Sequence, residues 1–317
     1  MEESQKSNEE KKFKLLSPKI DVVFQALFGE VGNERITKKF LENIMNRKIE
    51  SIDLNQNPIL RRELKDDKIG VLDIIAKLDN KENCNVEMQI IDKKNVVERI
   101  LFYWSKLYIR SIKKGIDYDK LEKTIVILIT DFEIETLKEV PALSKWQLRE
   151  ETNRAQILTE KLELYIIQLP RKGNIKNKEL KEWLSFIENP KDMEVIEAMK
   201  KIEELKEAGE KLNKISEDEK MQRIAELREK AIMDEKAIYA RGVDVGKEEG
   251  MRQGIEQGKE EGIKQGIKQG IEQGKEQGQK EKQIEIAKKM LEENENLEKI
   301  ALYTGLSKEE LKSLMEA

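Results

Sequence analysis

The alternation of apolar and polar positions predicts a β-hairpin in the first half of the chain, within IGVLDIIAKLDNKENCNVEMQII at 69–91. Val71–Ala76 is apolar except for one carboxylate, and Val86–Ile91 is apolar except for Glu87 and Gln89. Because successive strand residues point to opposite faces, Glu87 and Gln89 share one face of their strand. The triplet DNK between the two runs has the composition of a turn.

A hairpin centred on Asn80 would place Asp73 directly opposite Glu87. Like charges opposite one another on paired strands repel, and burying an unpaired carboxylate costs roughly several kcal/mol. Neither strand contains an obvious Lys or Arg near the two acids, so a divalent cation is the simplest counter-charge. Ligation by oxygen alone suits Mg²⁺ or Mn²⁺. The alternative is that both acids lie at solvated strand ends.

Further apolar runs predict the rest of a mixed sheet flanked by helices, which is an α/β fold. Thr124–Thr130 is a continuous β-branched run typical of a strand buried on both faces, and Leu164–Leu169 is a second such run. Residues 95–114 predict an amphipathic helix. Its stripe of Val97, Leu101, Trp104 and Tyr108, with Ile100, Leu107 and Ile112 nearby, indicates a core face rather than a base-stacking platform. The same helix carries basic residues, and we expect them either to form a solvated face or to contact phosphate groups. They are Arg99, Lys106, Arg110, Lys113 and Lys114.

The N-terminal segment predicts a disordered arm over 1–12 and then a helix that begins at Ser17 and Pro18. Asp21 falls in the first turn of that helix. A carboxylate there complements the helix dipole, and the alternative is that Asp21 is a third acid for the metal.

The second half of the chain is predicted to be helical and highly charged. We expect a helical extension over 173–240, a Gly-x-x-x repeat helix or spacer over 241–282 and a small helical hairpin over 283–317. Ten of the 17 glycines recur at every fourth position from Gly242 to Gly278. Close helix approach along this seam would support a homo-oligomer, whereas a flexible spacer is the alternative.

Composition excludes several classes of chemistry. The 317 residues contain no histidine and one cysteine, Cys84, which excludes Ser-His-Asp catalysis, His-ligated metals and an internal disulfide. The formal net charge of −4 does not by itself indicate a nucleic-acid partner. Without an apolar run of membrane-spanning length or a secretory signal, we expect a cytoplasmic protein.

Several segments, in order, resemble the Rpn family of recombination-promoting nucleases and transposases in the PD-(D/E)XK nuclease superfamily. They are SPKIDVVFQALFG (17–29), DDKIGVLDIIAKLDN (66–80), NVEMQ (85–89), ERILFYWSKLYIRSIKKGIDYDKLEKTIVILITDF (98–132), and the glycine repeat with its IAKKML…TGLSKEEL tail. The resemblance implies a restriction-endonuclease-like domain over 13–172.

The resemblance also implies an Mg²⁺-dependent DNA endonuclease acting in recombination or mobile-element biology. Asp73 and Glu87 would be the paired metal ligands, with Asp21 as an additional acid. Gln89 would stand where the superfamily usually has lysine, a departure that puts the reaction rate in doubt. The alternative is a catalytically weak or inactive relative that binds DNA or protein, or that self-assembles.

Overall fold

The computed structural model describes residues 13–54, 74–110 and 117–316. The predicted arm over 1–12 and Asp73 lie outside these residues. The chain forms two compact units, Met1–Ala237 and Ile238–Ala317.

The described residues of the first unit form a six-stranded mixed sheet in the order β1-β2-β3-β4-β6-β5. Strand β3 pairs antiparallel with β2 and parallel with β4, and β4 pairs parallel with β6. The strands are Ile52–Asp53 (β1), Ile74–Leu78 (β2), Glu82–Gln89 (β3), Lys123–Thr130 (β4), Leu143–Trp146 (β5) and Leu162–Gln168 (β6).

Helices cover both faces of this sheet and continue to the end of the described chain. None of the described helices is long and apolar enough to span a membrane. They are Asp21–Phe28 (α1), Glu34–Met45 (α2), Val96–Arg110 (α3), Lys178–Glu188 (α4), Met193–Met199 (α5), Glu203–Glu217 (α6), Glu219–Glu292 (α7), Leu297–Thr304 (α8) and Lys308–Glu316 (α9).

Strand β4 lies at the centre of the sheet, as its β-branched run predicts. Ile125, Ile127 and Ile129 pack into the main core, whereas Val126 and Leu128 pack into a second core on the opposite face. Both faces are therefore apolar, and the mixed α/β sheet flanked by helices is confirmed.

The β2–β3 hairpin is centred on Asn80, as predicted. Ile74 pairs with Val86 and Leu78 pairs with Glu82. Asp79 and Asn80 both have positive φ, which short polar side chains tolerate better than most. Strand β3 begins at Glu82, four residues before the predicted start, because the tight turn lets pairing start beside it.

Helix α1 begins at Asp21, so the prediction that it begins at Ser17 and Pro18 was wrong. Residues 17–20 form a turn in which the N–H of Ile20 donates to the carbonyl of Ser17 at 3.2 Å. The predicted apolar face of α1 is buried, with Phe24 and Leu27 fully enclosed.

The buried stripe of α3 is displaced by about one position from the predicted stripe. Leu101 is 45% exposed. The buried residues are Val96, Ile100, Tyr103 and Leu107. Because the helix is apolar around much of its circumference, its contact with the sheet decides its phase. Trp104 keeps a core role, since it packs partly buried against the second core and its Nε1 donates to the Thr124 carbonyl at 3.1 Å.

Helices α4 to α6 share the main core with the sheet. Trp183 of α4 is fully buried, and its ring lies 5.7 Å from Phe40 and 6.2 Å from Phe28, measured between centroids. Ala208 and Leu212 of α6 belong to the same core. These helices therefore help to hold α1 and α2 in place.

In the second unit, the predicted helical hairpin is present as α8 and α9. Gly305 ends α8 at a φ of 74°, a left-handed conformation that favours glycine. The Ser307 and Glu310 side chains form the predicted capping box, since each accepts the other's backbone N–H, at 3.2 and 3.0 Å.

A buried ionic cluster lies where the parallel strands β3, β4 and β6 begin. Glu163 is 3% exposed, and its carboxylate is paired with Lys145 and, at 3.1 Å, with Lys123. Burial alone would raise the pKa of Glu163, but the two ammonium groups outweigh it and hold the pKa below its usual range.

A Glu163→Gln variant should lose about 1–3 kcal/mol of unfolding free energy near neutral pH, because the charge-assisted bonds are lost. A depressed pKa contributes stability above the carboxyl's unfolded pKa, and that stability disappears as pH falls through the folded value. Urea unfolding measured from about pH 7 to about pH 3 should therefore show that the difference in unfolding free energy between wild type and Glu163→Gln becomes smaller as the pH falls. Glu160 is exposed, so Glu160→Gln serves as the control. A difference in unfolding free energy between wild type and Glu163→Gln that does not change with pH would contradict the lowered pKa of Glu163.

Candidate active site

A cavity of about 530 Å³ lies at the carboxyl end of β3. In α/β sheets with parallel strands, ligands commonly bind beyond the carboxyl ends of those strands. The start of α1, α3 and the first part of α7 complete the walls. The polar residues that line it are Lys19, Asp21, Gln25, Glu87, Gln89, Lys93, Arg99, Tyr103, Arg228 and Glu235.

Glu87 is the most enclosed acid of this cavity, with 3% of its surface exposed. The alternation of β3 places Asn85, Glu87 and Gln89 on the face covered by α3, whereas Val86 and Met88 enter the main core. The fully buried Asn85 amide donates from Nδ2 to Glu87 Oε1 at 3.0 Å. This bond fixes the orientation of the carboxylate at the cavity wall.

Gln89 lies two residues further along the same face and contacts α3. Its Oε1 accepts a hydrogen bond from Arg99 Nη1 at 3.0 Å, and Arg99 Nη2 donates to the Tyr103 hydroxyl at 3.1 Å. Because arginine can only donate, the contacting atom of Gln89 must be its oxygen. The Gln89 Nε2 group is thereby directed away from Arg99.

Asp21 reaches the cavity from the first turn of α1. Its Oδ1 accepts the N–H of Val22 at 2.9 Å, and its Oδ2 lies 3.5 Å from Arg228 Nε. The carboxylate is 43% exposed and the Arg228 side chain is 54% exposed, so this ion pair is weak. Asp21 therefore stabilises its helix end while leaving part of its surface in the cavity.

Asp73 lies outside the described residues, and β2 is described from Ile74 onward. Ile74 pairs with Val86, the residue before Glu87.

Comparison with known families matches residues 18–242 to the model of the PD-(D/E)XK nuclease family transposases. The chain belongs to this family. Neither the curated proteins nor the solved structures include a match. The region matched to the PD-(D/E)XK family contains every residue that lines the cavity.

PD-(D/E)XK nucleases typically use divalent metals, and the donor chemistry of this cavity is compatible with one. Asp21, Glu87 and Gln89 offer only oxygen as metal-ligating atoms, and hard cations such as Mg²⁺ prefer oxygen. The Asn85 Oδ1 atom, buried on the same strand face, has no hydrogen-bond partner within the described chain. No group of three or more His, Cys, Asp or Glu side chains that could hold a metal ion occurs among the described residues.

The structure brings three of the four predicted site residues, Asp21, Glu87 and Gln89, to one cavity. Sequence reasoning missed Asn85, although extending the alternation of β3 by one step would have placed it on this face. It also left Arg99 as one of five undistinguished basic residues of α3. Arg228 and Glu235 gave no signal, because their contact with the cavity is purely tertiary.

Proposed function

We propose that this member of the PD-(D/E)XK family is a metal-dependent endonuclease that hydrolyses phosphodiester bonds in DNA, in recombination or transposase-like mobile-element biology. The observation that carries the proposal is the burial of the Glu87 carboxylate in a polar cavity at the carboxyl end of β3. Carboxylates held in such an enclosed position at the wall of a polar cavity are frequent among catalytic and metal-binding groups.

Asp73 and Glu87 would hold Mg²⁺, or Mn²⁺ in its place. If the hairpin register of Ile74 with Val86 continues by one residue, the two carboxylates face each other across β2 and β3. A bound divalent ion lowers the pKa of a water ligand and neutralises charge that develops on the phosphate.

The other side chains would position the reactants. Asn85 holds the Glu87 carboxylate by its 3.0 Å bond, and Gln89, whose oxygen is engaged by Arg99, can donate from Nε2 to the attacking water. In the reaction, the water oxygen forms a bond to phosphorus while the bond to the leaving sugar oxygen breaks. No covalent enzyme intermediate is required.

A plasmid-cleavage assay tests this function. Wild type should nick or cut supercoiled DNA with Mg²⁺ or Mn²⁺ and lose that activity in EDTA. Asp73→Ala and Glu87→Gln should each lower the rate by at least about 100-fold, since metal ligation supplies several kcal/mol of transition-state stabilisation. Glu133→Gln, which removes an exposed acid outside the cavity, should cut as wild type does.

Two outcomes would contradict the proposal. DNA binding without cleavage under any divalent metal would favour the alternative, a catalytically inactive relative that acts as a binding module. Metal-dependent cleavage that survives Asp73→Ala would overturn the assignment of the metal ligands.

We also propose that α7 mediates homo-oligomer formation. Residues 219–292 form one helix, and a Cβ added at any glycine from Gly242 to Gly278 would meet nothing within 4 Å. Ile255, Ile263, Ile267 and Ile271 are each more than half exposed beside these glycines. Small residues on an exposed helix allow close approach of a second helix.

Replacing Gly258, Gly262 and Gly266 together with alanine separates self-association from helix stability. Alanine favours the helix by about 1 kcal/mol per site, so circular dichroism should show equal or greater helicity. The added methyl groups should prevent close approach, and the mass measured by light scattering should fall. Deleting 241–282 should lower the association state as well. An unchanged oligomer in both variants would contradict the proposal.

A further inference from the structure

Arg99 differs from the other described cations of the cavity in what it contacts. Lys19 pairs with Asp131 at 2.8 Å, Lys93 pairs with Glu235 at 2.5 Å and Arg228 pairs with Asp21 at 3.5 Å. Each of these charges already has a carboxylate partner.

The half-buried Arg99 side chain instead donates to two neutral oxygens, those of Gln89 and Tyr103. Its guanidinium also lies over the Tyr103 ring, 5.7 Å from the centroid. Within the described residues, no carboxylate forms an ion pair with it. These contacts fix its position in the cavity without neutralising its charge.

A fixed guanidinium with unused N–H groups is suited to binding an anion with two oxygens, such as a phosphate group. Glu87 lies in the same cavity wall, so the anion would be held beside the candidate metal ligand. The rigid contacts to Gln89 and Tyr103 lower the entropic cost of forming these bonds.

We propose that Arg99 contacts a non-bridging oxygen of the phosphodiester that is cleaved and supplies the positive charge that Gln89 lacks. This inference rests on the proposed nuclease function. As the water oxygen bonds to phosphorus, negative charge grows on the non-bridging oxygens, and Arg99 stabilises it. Arg99 keeps its protons: the attacking water releases one to solvent, and the leaving sugar oxygen takes one from solvent.

Binding measurements without metal test the phosphate contact independently of catalysis. Binding of a short duplex DNA in EDTA should weaken with salt, with a slope that falls by about 0.9 when one phosphate contact is lost. Arg99→Gln should show this reduced slope, and Arg99→Lys should retain most of it. Arg149→Gln removes the same charge outside the cavity and should leave the slope unchanged.

Cleavage kinetics then test the catalytic role. Arg99→Gln should lower kcat by about 100-fold or more with a smaller change in KM, because the contact strengthens in the transition state. Arg99→Lys should recover part of kcat, since it restores the charge without the planar fork. Thermal unfolding of each variant verifies that the fold is retained.

The two proposals fail in different ways. Wild type that never cleaves DNA, combined with a reduced salt slope for Arg99→Gln, would overturn the nuclease function and leave a phosphate-binding Arg99. Wild type that cleaves DNA, combined with an Arg99→Gln variant that matches Arg149→Gln in slope and kcat, would overturn the role of Arg99. If Arg99→Gln does not fold, Arg99→Lys decides: a salt slope near that of wild type with a partly reduced kcat supports the proposal, and a kcat equal to that of wild type overturns it.

Discussion

The other polar side chains of the cavity wall are arranged around the enclosed carboxylate of Glu87. Placing a carboxylate where 3% of its surface is exposed costs free energy unless polar groups surround it. The fold supplies such groups on one strand face, with Asn85 bonded to Glu87 and Gln89 bonded to Arg99. The alternate residues of β3, Val86 and Met88, enter the main core on the opposite face, so the same alternation that builds the sheet also builds the site.

The elements that sequence patterns predicted well are those with one dominant cause. The β-branched run of β4 is stable as a strand only when both faces are covered, and the DNK turn fixes the register of β2 against β3. The Ser307 capping box is likewise local. The start of α1 and the phase of α3 were predicted incorrectly, because a Ser-Pro pair also suits a turn and an apolar helix offers more than one face for burial.

The site shows the same division between local and tertiary causes. Strand periodicity alone predicts that Glu87 and Gln89 lie on the same face, because both belong to β3. Arg99 could not be distinguished from its basic neighbours, since only the packing of α3 onto the sheet directs it toward Gln89. Lys19, Lys93 and Arg228 each pair with a carboxylate from a distant part of the chain, which no local pattern predicts. Among the described cations of the cavity, Arg99 is therefore distinguished by its hydrogen bonds to neutral oxygens.

We propose that Asp73 and Glu87 hold one divalent ion between them. A crystal structure with Mn²⁺, in which anomalous scattering locates the ion, tests it most directly. We expect a single strong peak within about 2.0–2.3 Å of a carboxylate oxygen from each residue. Carboxylates that point to opposite faces of the sheet, or a fully loaded crystal without a peak between them, would contradict it.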